Sequence, residues 1–551
     1  MELALSLPVA FGLIYLVRLA QTFQDRLVVA GGDTDAIGPL VIAATMDEVP
    51  DADVHMPAFG HYLTLAYTRA TEWLPFHREV WEVVPPALWV GSLGIVVWAA
   101  WRTVGKHAAI LTGVLGLCVS PLLLYILFTS GYHQWTLYSS AIALGLVVFL
   151  TTQSRMSVPA WIVAVAGALV LGGALASDRL VLLGSIGPLL LAGAAVAIRH
   201  PTRQGRMVAL VAGAVVAVAI AIATVVTQIM EASGFVTTAR TESWTYAELF
   251  FDRVGTCLEE FLWMMNAYFF GRPLTTESAL AFAAALGVVA ALVAPFIALR
   301  RRLREPQPTD TPLELGRSAY IFFWAAAMAI IPLAVIAGGG QDGEVRARYM
   351  LPVLFAVAAT VPLLARSVTG RFLVIAGVSI YALLGVLNID VRGQSTVPYD
   401  DDVNDDVQHS AGRIAIQANE LISIAEKDDA RVGYAGYWEA ASSSWSTKMQ
   451  VKVFPIDHDC GTADGVPCPK GGPFVHGGWY EPRTGIRTFL IGPRPEDDDS
   501  YERPPGLGPP LSVHRLLNGA HLYVYPYDIA SRFPPFRVDR NDPNAAVNDT
   551  L

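Results

Sequence analysis

Two aspartates follow the first long apolar segment of the chain, in the stretch GGDTDA at residues 31–36. A carboxylate at the boundary between water and hydrocarbon is partly desolvated, which raises its pKa but still allows it to ionise at neutral pH. That property suits a general base, which takes a proton from a hydroxyl group as the hydroxyl attacks. Asp33 and Asp35 are therefore predicted catalytic residues. For Asp35 the alternative is that it caps the apolar helix that follows.

A second set of polar residues precedes a late apolar segment, in the stretch QDGEVRARYMLP. Arg346 and Arg348 stand at the predicted outer mouth of this segment, against the tendency of basic residues to lie on the cytoplasmic side. The planar guanidinium group matches the oxygen geometry of a phosphate and adds charge. We predict that Arg348 binds a phosphate. Pairing with the nearby Asp342 or Glu344 is the alternative.

Two short turns between apolar segments carry further polar groups. Tyr132 and His133 lie in TSGYHQWT, and both are predicted to contact a ligand, although an aromatic belt at the membrane surface also accounts for the tyrosine. Asp178 and Arg179 lie in ALASDRL and form an ion-capable pair at the end of an apolar segment. The alternative for this pair is a helix cap beside an arginine that extends toward water.

The composition of the chain predicts the structural elements that position these residues. The chain has 551 residues, of which 53% are hydrophobic and 16% charged, whereas soluble domains are about 25% charged. Long uncharged runs recur over the first 390 residues, and they predict a polytopic α-helical membrane protein with about eleven spans. The predicted spans fall at residues 4–21, 85–103, 108–128, 135–152, 158–176, 180–198, 207–229, 277–299, 318–337, 350–365 and 372–388.

The chain divides into two predicted domains. Residues 1–390 form the membrane domain, with long loops at 22–84 and 230–276 that contain amphipathic helical patterns. Residues 391–551 are polar, and their helix-then-strand pattern predicts a small α/β domain. Lysines and arginines are concentrated in the alternate set of short loops, so the N-terminus is predicted to be cytoplasmic and the C-terminal domain extracytoplasmic.

Cysteine usage agrees with this orientation. Cys460 and Cys468 are close together in the C-terminal domain, and disulfides persist in oxidising compartments, so a disulfide is predicted between them. A metal-binding pair is the weaker alternative because no second Cys or His pair with zinc spacing accompanies it. No cofactor is assigned, and a divalent cation stays an open alternative. A nucleic-acid partner is not expected, because no basic patch with interleaved aromatic residues occurs.

Together these residues offer a base, a phosphate-binding arginine and surface helices that can steer a lipid. This set suits a transferase whose donor is a sugar carried on a polyprenyl phosphate. The acceptor hydroxyl would lose its proton to the aspartate as it attacks the anomeric carbon, and arginine would hold the departing phosphate. Attack from the face opposite the leaving group would invert the anomeric centre.

At these residues the sequence resembles the GT-C superfamily of integral-membrane glycosyltransferases. The resemblance rests on the acidic GGDTDA stretch after the first span, on RYMLP (348–352) and on ASD (176–178). The stretches at 433–445 and 521–533 resemble the outward domain of bacterial members. The resemblance implies an aspartate base in GGDTDA and a substrate-binding role for Tyr349 beside the arginine.

The resemblance also implies a hexosyl- or pentosyltransferase that acts on the outer face of the membrane. Its partners would be a polyprenyl-phosphate-linked sugar, membrane lipids, and a cell-envelope glycan, lipid or protein as the acceptor. A lipid or glycan transporter is the first alternative, and it predicts broken helices and charges near the middle of the bilayer. A non-catalytic glycan-binding assembly protein is the second alternative.

Overall fold

The structure is a computed structural model of the full chain. It describes residues 2–32, 34–47, 53–56, 61–129, 133–153, 156–237, 243–244, 250–271, 273–305, 311–339, 346–365, 367–390, 407–458, 465–470, 474–493 and 504–536.

The first 390 residues are almost entirely helical. Nine helical segments in the described part of the chain are long and apolar enough to cross a membrane, since about 20 helical residues span the hydrocarbon layer. The chain is therefore a multi-pass membrane protein. The helices are α1 (Glu2–Ala30), α2 (Thr34–Thr45), α3 (Tyr62–Thr71), α4 (His77–Thr103), α5 (Lys106–Leu117), α6 (Pro121–Phe128), α7 (Gln134–Thr151), α8 (Val158–Ser177), α9 (Gly187–Arg199), α10 (Arg203–Ala232), α11 (Phe250–Met264), α12 (Thr276–Arg304), α13 (Pro312–Ala337), α14 (Leu351–Thr360) and α15 (Val368–Asn388).

The spans are α1, α4, α7, α8, α10, α12, α13 and α15, together with the segment in which a π-helical turn (Leu182–Ile186) leads into α9. Two of the eleven predicted spans differ from the expectation. Residues 108–128 form α5 and α6, which meet at 84°. Pro121 opens α6, and Ser120 caps it by accepting a hydrogen bond from the Leu123 amide. The chain bends here because proline lacks an amide hydrogen and disfavours a helical conformation before it.

The predicted span at 350–365 is the second difference. It is a shorter apolar unit, in which a 3-10 turn (Arg346–Met350) leads into α14 and a further 3-10 turn (Val361–Leu364) follows. Every residue of α14 is buried. Hydropathy alone cannot separate such a helix, which is enclosed by other helices, from one that faces lipid.

The C-terminal domain is an α/β unit, as predicted. Its elements are α16 (Val407–Asp428), β5 (Val432–Gly436), α17 (Tyr437–Ser446), β6 (Lys452–Asp457), β7 (Cys468–Pro469), β9 (Thr488–Ile491), β10 (Ser512–Arg515) and β11 (His521–Tyr525). The six strands form a mixed sheet with the order β10-β11-β9-β5-β6-β7, in which β5 is parallel to β6 and β9 and the other pairs are antiparallel. At its centre, a Cβ on Gly433 would lie about 2.1 Å from the Phe489 ring, so this ring can lie over β5 only because the residue there is glycine.

A small three-stranded sheet ties this domain to the membrane part. Its middle strand, β1 (Val54–Met56), is parallel to β2 (Phe235–Thr237) and antiparallel to β8 (Val475–His476). The two loops predicted to face outward and the C-terminal domain therefore meet in one sheet. Trp445 adds a second contact, because its ring stacks on Trp81 at 6.3 Å. We call the side of the helix bundle that carries these contacts the domain end.

Candidate functional site

His133 begins α7 at the domain end of the bundle. It is the residue before the first helical turn, and its backbone is left-handed with φ 58°. Its Nδ1 atom lies 2.7 Å from Oδ2 of Asp178, and both side chains are buried. Two of the turns that the sequence analysis selected separately are therefore joined by a buried hydrogen bond.

Asp178 ends α8 and accepts three hydrogen bonds. Besides His133, the Thr136 hydroxyl donates to Oδ2 at 2.6 Å and the Leu180 amide donates to Oδ1 at 2.9 Å. Burial acts to raise the pKa of this carboxyl, but the charge of His133 and the three hydrogen bonds outweigh burial and hold the pKa below its ordinary value. Asp178 is thus an ionised group inside the protein, and its backbone amide ends α8 by donating to the Ala174 carbonyl.

Arg348 and Tyr349 lie in the 3-10 turn that precedes α14. The ring of Tyr349 packs edge-on against the ring of His133, with centroids 4.8 Å apart. Nη2 of Arg348 donates to the Tyr349 hydroxyl at 3.0 Å, and its guanidinium carbon lies 5.1 Å from the centre of the tyrosine ring. Asp178, His133, Tyr349 and Arg348 form one chain of contacts, which we call the polar cluster.

Close packing around Gly184 brings the elements of the polar cluster together. A Cβ at this position would lie 3.1 Å from Thr136, 3.2 Å from Pro352 and 3.3 Å from Ser140. Glycine therefore allows the turn after α8 to lie against both α7 and α14. Gly184 belongs to the π-helical turn, and such turns occur frequently at functional sites.

His61 adjoins the polar cluster, although the sequence analysis did not select it. Its amide donates to the Ser177 carbonyl at 3.2 Å, next to Asp178. Burial is the main reason that its pKa falls to about 4; the nearby charge of His133 lowers it further and Asp178 opposes the shift. His61 is therefore neutral at pH 7. Its position depends on the packing of α3 against α8, and no local sequence signal shows that packing.

Phe474 links α2 to His61. A Cβ on Gly38 would lie about 2.5 Å from the Phe474 ring, and the same ring lies 5.4 Å from the ring of His61. Gly38 is one helical turn beyond Asp35. One aromatic ring from the C-terminal domain therefore lies between Gly38 and His61. Because His61 adjoins the polar cluster, the beginning of α2 lies near that cluster as well.

The other predicted residues have different placements. Asp33, Tyr132 and Cys460 lie outside the described residues. Asp35 is in the first turn of α2 and Arg346 opens the 3-10 turn, and only their backbones are described.

Arg179 is exposed and does not join the polar cluster. Cys468 is disulfide-bonded, whereas Cys118 and Cys257 form no disulfide. The pairing of Cys468 with Cys460 stays a prediction. No group of three or more His, Cys, Asp or Glu side chains that could hold a metal ion occurs among the residues that the structure describes.

The molecule is thus a multi-pass helical membrane protein with a buried polar cluster at the end that carries an α/β domain. No protein-family model matches the sequence, and no curated protein matches it. Among solved structures, ArnT from Cupriavidus metallidurans bound to undecaprenyl phosphate matches with a TM-score of 0.50 at 13% identity, over 95% of this chain and 99% of that chain. The chain therefore shares the fold of that structure.

Two further structures align less well. The apo state of the same ArnT has a TM-score of 0.49 at 12% identity, again over 95% of this chain and 99% of that chain. The apo oligosaccharyltransferase of Archaeoglobus fulgidus has a TM-score of 0.45 at 14% identity, over 82% of this chain and 64% of that chain.

Proposed function

We propose that this protein is a membrane glycosyltransferase that transfers a sugar from a polyprenyl-phosphate donor to an acceptor hydroxyl, with inversion at the anomeric carbon. The observation that carries the proposal is the polar cluster, which brings a guanidinium, a phenol and a carboxylate-bound imidazole to the ends of apolar helices. The fold shared with a protein that binds undecaprenyl phosphate supports it. We assign the domain end to the outer face, because the basic short loops lie at the other end.

Arg348 and His133 are the proposed phosphate ligands. The guanidinium group of Arg348 bonds to Tyr349 through Nη2, and its fork-shaped donor set suits a phosphate. Nδ1 of His133 faces Asp178, and we propose that Nε2–H is the second donor to the phosphate. Both groups would stabilise the negative charge that develops on the departing polyprenyl phosphate.

Asp33 or Asp35 is the proposed general base. Both residues lie at the start of α2 or just before it, and α2 contacts Phe474, which in turn contacts His61 beside the polar cluster. A carboxylate from this turn would take the acceptor proton while the phosphate leaves toward Arg348. The acceptor attacks and the phosphate departs on opposite sides of the sugar, as inversion requires.

Transport of a lipid is the second candidate, because the 84° bend between α5 and α6 is a broken helix of the kind transporters use. The bend itself is fully buried. Cys118 and Val119 have no exposed surface, and a Cβ on Gly385 would meet the Cys118 carbonyl at 2.8 Å. Close packing at the bend leaves no room there for a substrate, so glycosyl transfer is favoured.

The test is a transfer assay in proteoliposomes with the full chain. Polyprenyl phosphates that carry labelled hexoses or pentoses serve as donors and a total envelope extract serves as the acceptor. We expect Asp→Asn at the base, position 33 or 35, to lower the transfer rate about 10²- to 10⁴-fold while donor binding is retained. Arg206→Gln, which removes an exposed charge at the other end of the bundle, is the control and should be neutral. Full activity in both aspartate variants would rule out the proposed mechanism.

A further inference from the structure

A cavity lies beside the polar cluster, at the domain end of α8 and α10. Its volume is about 310 Å³, at the lower end of the range for sites that hold small ligands. Polar side chains from α3, α10, the end of α8 and the turn after it line the cavity, among them Tyr62, Ser177, Arg179, Thr224, Thr227 and Gln228. The function proposed above does not use this cavity.

The hydroxyl of Tyr62 is the first sign that this cavity holds a ligand. The side chain is 5% exposed, and its oxygen has no hydrogen-bond partner among the described residues. A buried hydroxyl without a partner destabilises the protein, and a ligand oxygen that bonds to it removes that cost. Burial, together with the charge of Glu231 and against the opposing charge of Arg179, raises the pKa of Tyr62 to about 12, so the hydroxyl keeps its proton and can donate to a ligand.

Arg179 is the second sign. It is exposed, and in the part of the chain that the structure describes it has no hydrogen bond or ion pair. Its neighbour Asp178 belongs to the polar cluster, whereas Arg179 lines the cavity. Two adjacent residues of one turn thus lie at two different sites. A guanidinium beside a phenol, a glutamine and two threonines is a donor set for an anion that also carries hydroxyl groups.

The surroundings of the cavity indicate an amphiphile. Thr224 and Gln228 are exposed on α10, a span, and the large apolar side chains of Val225 and Ile229 are exposed beside them. A ligand could therefore keep its apolar chain along this face of α10 while its headgroup enters the cavity.

Building on the proposed function, we infer that this cavity binds the acceptor, and that the acceptor is a membrane amphiphile whose headgroup carries a phosphate and hydroxyl groups. Arg179 binds the phosphate, and Tyr62 and Gln228 bind hydroxyl oxygens. Because Asp178 and Arg179 are adjacent, the acceptor headgroup would lie next to the donor phosphate on the polar cluster.

Lipid retention tests this inference without any transfer reaction. The protein is placed in nanodiscs of phosphatidylcholine that contain about 10% phosphatidylinositol. This lipid is the probe because its headgroup carries both a phosphate and hydroxyl groups. Native mass spectrometry then counts the phosphatidylinositol that the protein retains. A second arm supplies free inositol phosphate in solution.

We expect selective retention of phosphatidylinositol, reduced about fivefold by Tyr62→Phe and about tenfold or more by Arg179→Gln. The matched controls are Tyr67→Phe, which removes a buried hydroxyl that is also without a partner but does not line the cavity, and Arg206→Gln. Equal retention in all variants, or binding of free inositol phosphate alone, would overturn the inference. If retention follows this pattern while the aspartate variants transfer normally, the cavity assignment stands and the proposed function fails.

Discussion

The Nδ1 atom of His133 lies 2.7 Å from Oδ2 of Asp178, and each of these side chains is only 5% exposed. An ionised carboxylate in such a setting costs free energy unless it is fully hydrogen-bonded. Asp178 meets that condition through His133, Thr136 and Leu180. The pair therefore fixes which nitrogen of His133 faces the carboxylate.

Asp178→Asn should lower kcat/KM for transfer about 10- to 100-fold, because His133 loses the charged partner that orients it. Thr136→Val removes one hydrogen bond to the same oxygen while leaving the imidazole contact, so its effect should be smaller. Steady-state kinetics with varied donor concentration would show this order. Equal losses of kcat/KM in both variants would mean that Asp178 stabilises the fold and does not orient His133. Lowered melting temperatures of both variants would then support a role in folding.

Arg348→Lys should raise KM for the donor about tenfold, because lysine keeps the charge but loses the fork and the stacking contact with Tyr349. Arg348→Gln removes the charge as well, and kcat/KM should fall about 10²-fold or more. Donor titrations measure both values. A lysine variant with unchanged KM would show that Arg348 makes no paired hydrogen bonds to the phosphate.

Gly38→Ala should destabilise the contact between α2 and the C-terminal domain by about 1–3 kcal/mol, because its Cβ would meet the Phe474 ring at 2.5 Å. Phe474→Ala removes that ring, so the double variant should lose less stability than the sum of the two single variants. Thermal unfolding in detergent gives the three values. Additive losses would show that the two residues do not touch.

His61 should make stability depend on pH. Its pKa is about 4 in the folded protein against 6.5 in the unfolded chain, so between these values the unfolded state binds more protons. Stability is then complete above pH 6.5 and falls as the pH drops toward 4, by about 3 kcal/mol at most. The lowered pKa of Asp178 makes its contribution fall mainly below pH 3.8, so it overlaps only the acid end of this window.

His61→Asn tests that dependence, because asparagine does not titrate and accepts the left-handed backbone at this position, φ 48°. Unfolding scans from pH 7 to pH 4.5 should show a smaller decrease in melting temperature for the variant than for the natural protein. Parallel curves would contradict the assignment of a buried, neutral His61.

Much of the fold followed from local patterns. Uncharged runs located nine of the spans, and the helix and strand patterns after residue 390 located α16, β5, β6, β9 and β11 but not α17, β7 or β10. The bend after α5 was missed because the apolar run continues through it, although Pro121 marks the place. A full span was predicted at residues 350–365, where the structure has the shorter helix α14, because the residues of α14 are as apolar as those of a span.

The site could be predicted only in part. His133, Asp178, Arg348 and Tyr349 were selected as polar residues at the ends of apolar segments, and the structure brings them into contact. Their pairing depends on how α7, α8 and α14 pack, which no single segment encodes. His61 was missed for the same reason, since its neighbours come from α8 and from the C-terminal domain.

The most direct test is a cryo-EM map of the full-length protein with undecaprenyl phosphate bound. We expect phosphate density within hydrogen-bonding distance of the Arg348 guanidinium group and of Nε2 of His133, with the polyprenyl chain running into the apolar region of the helix bundle. Phosphate density at the opposite end of the bundle, or away from both side chains, would contradict it.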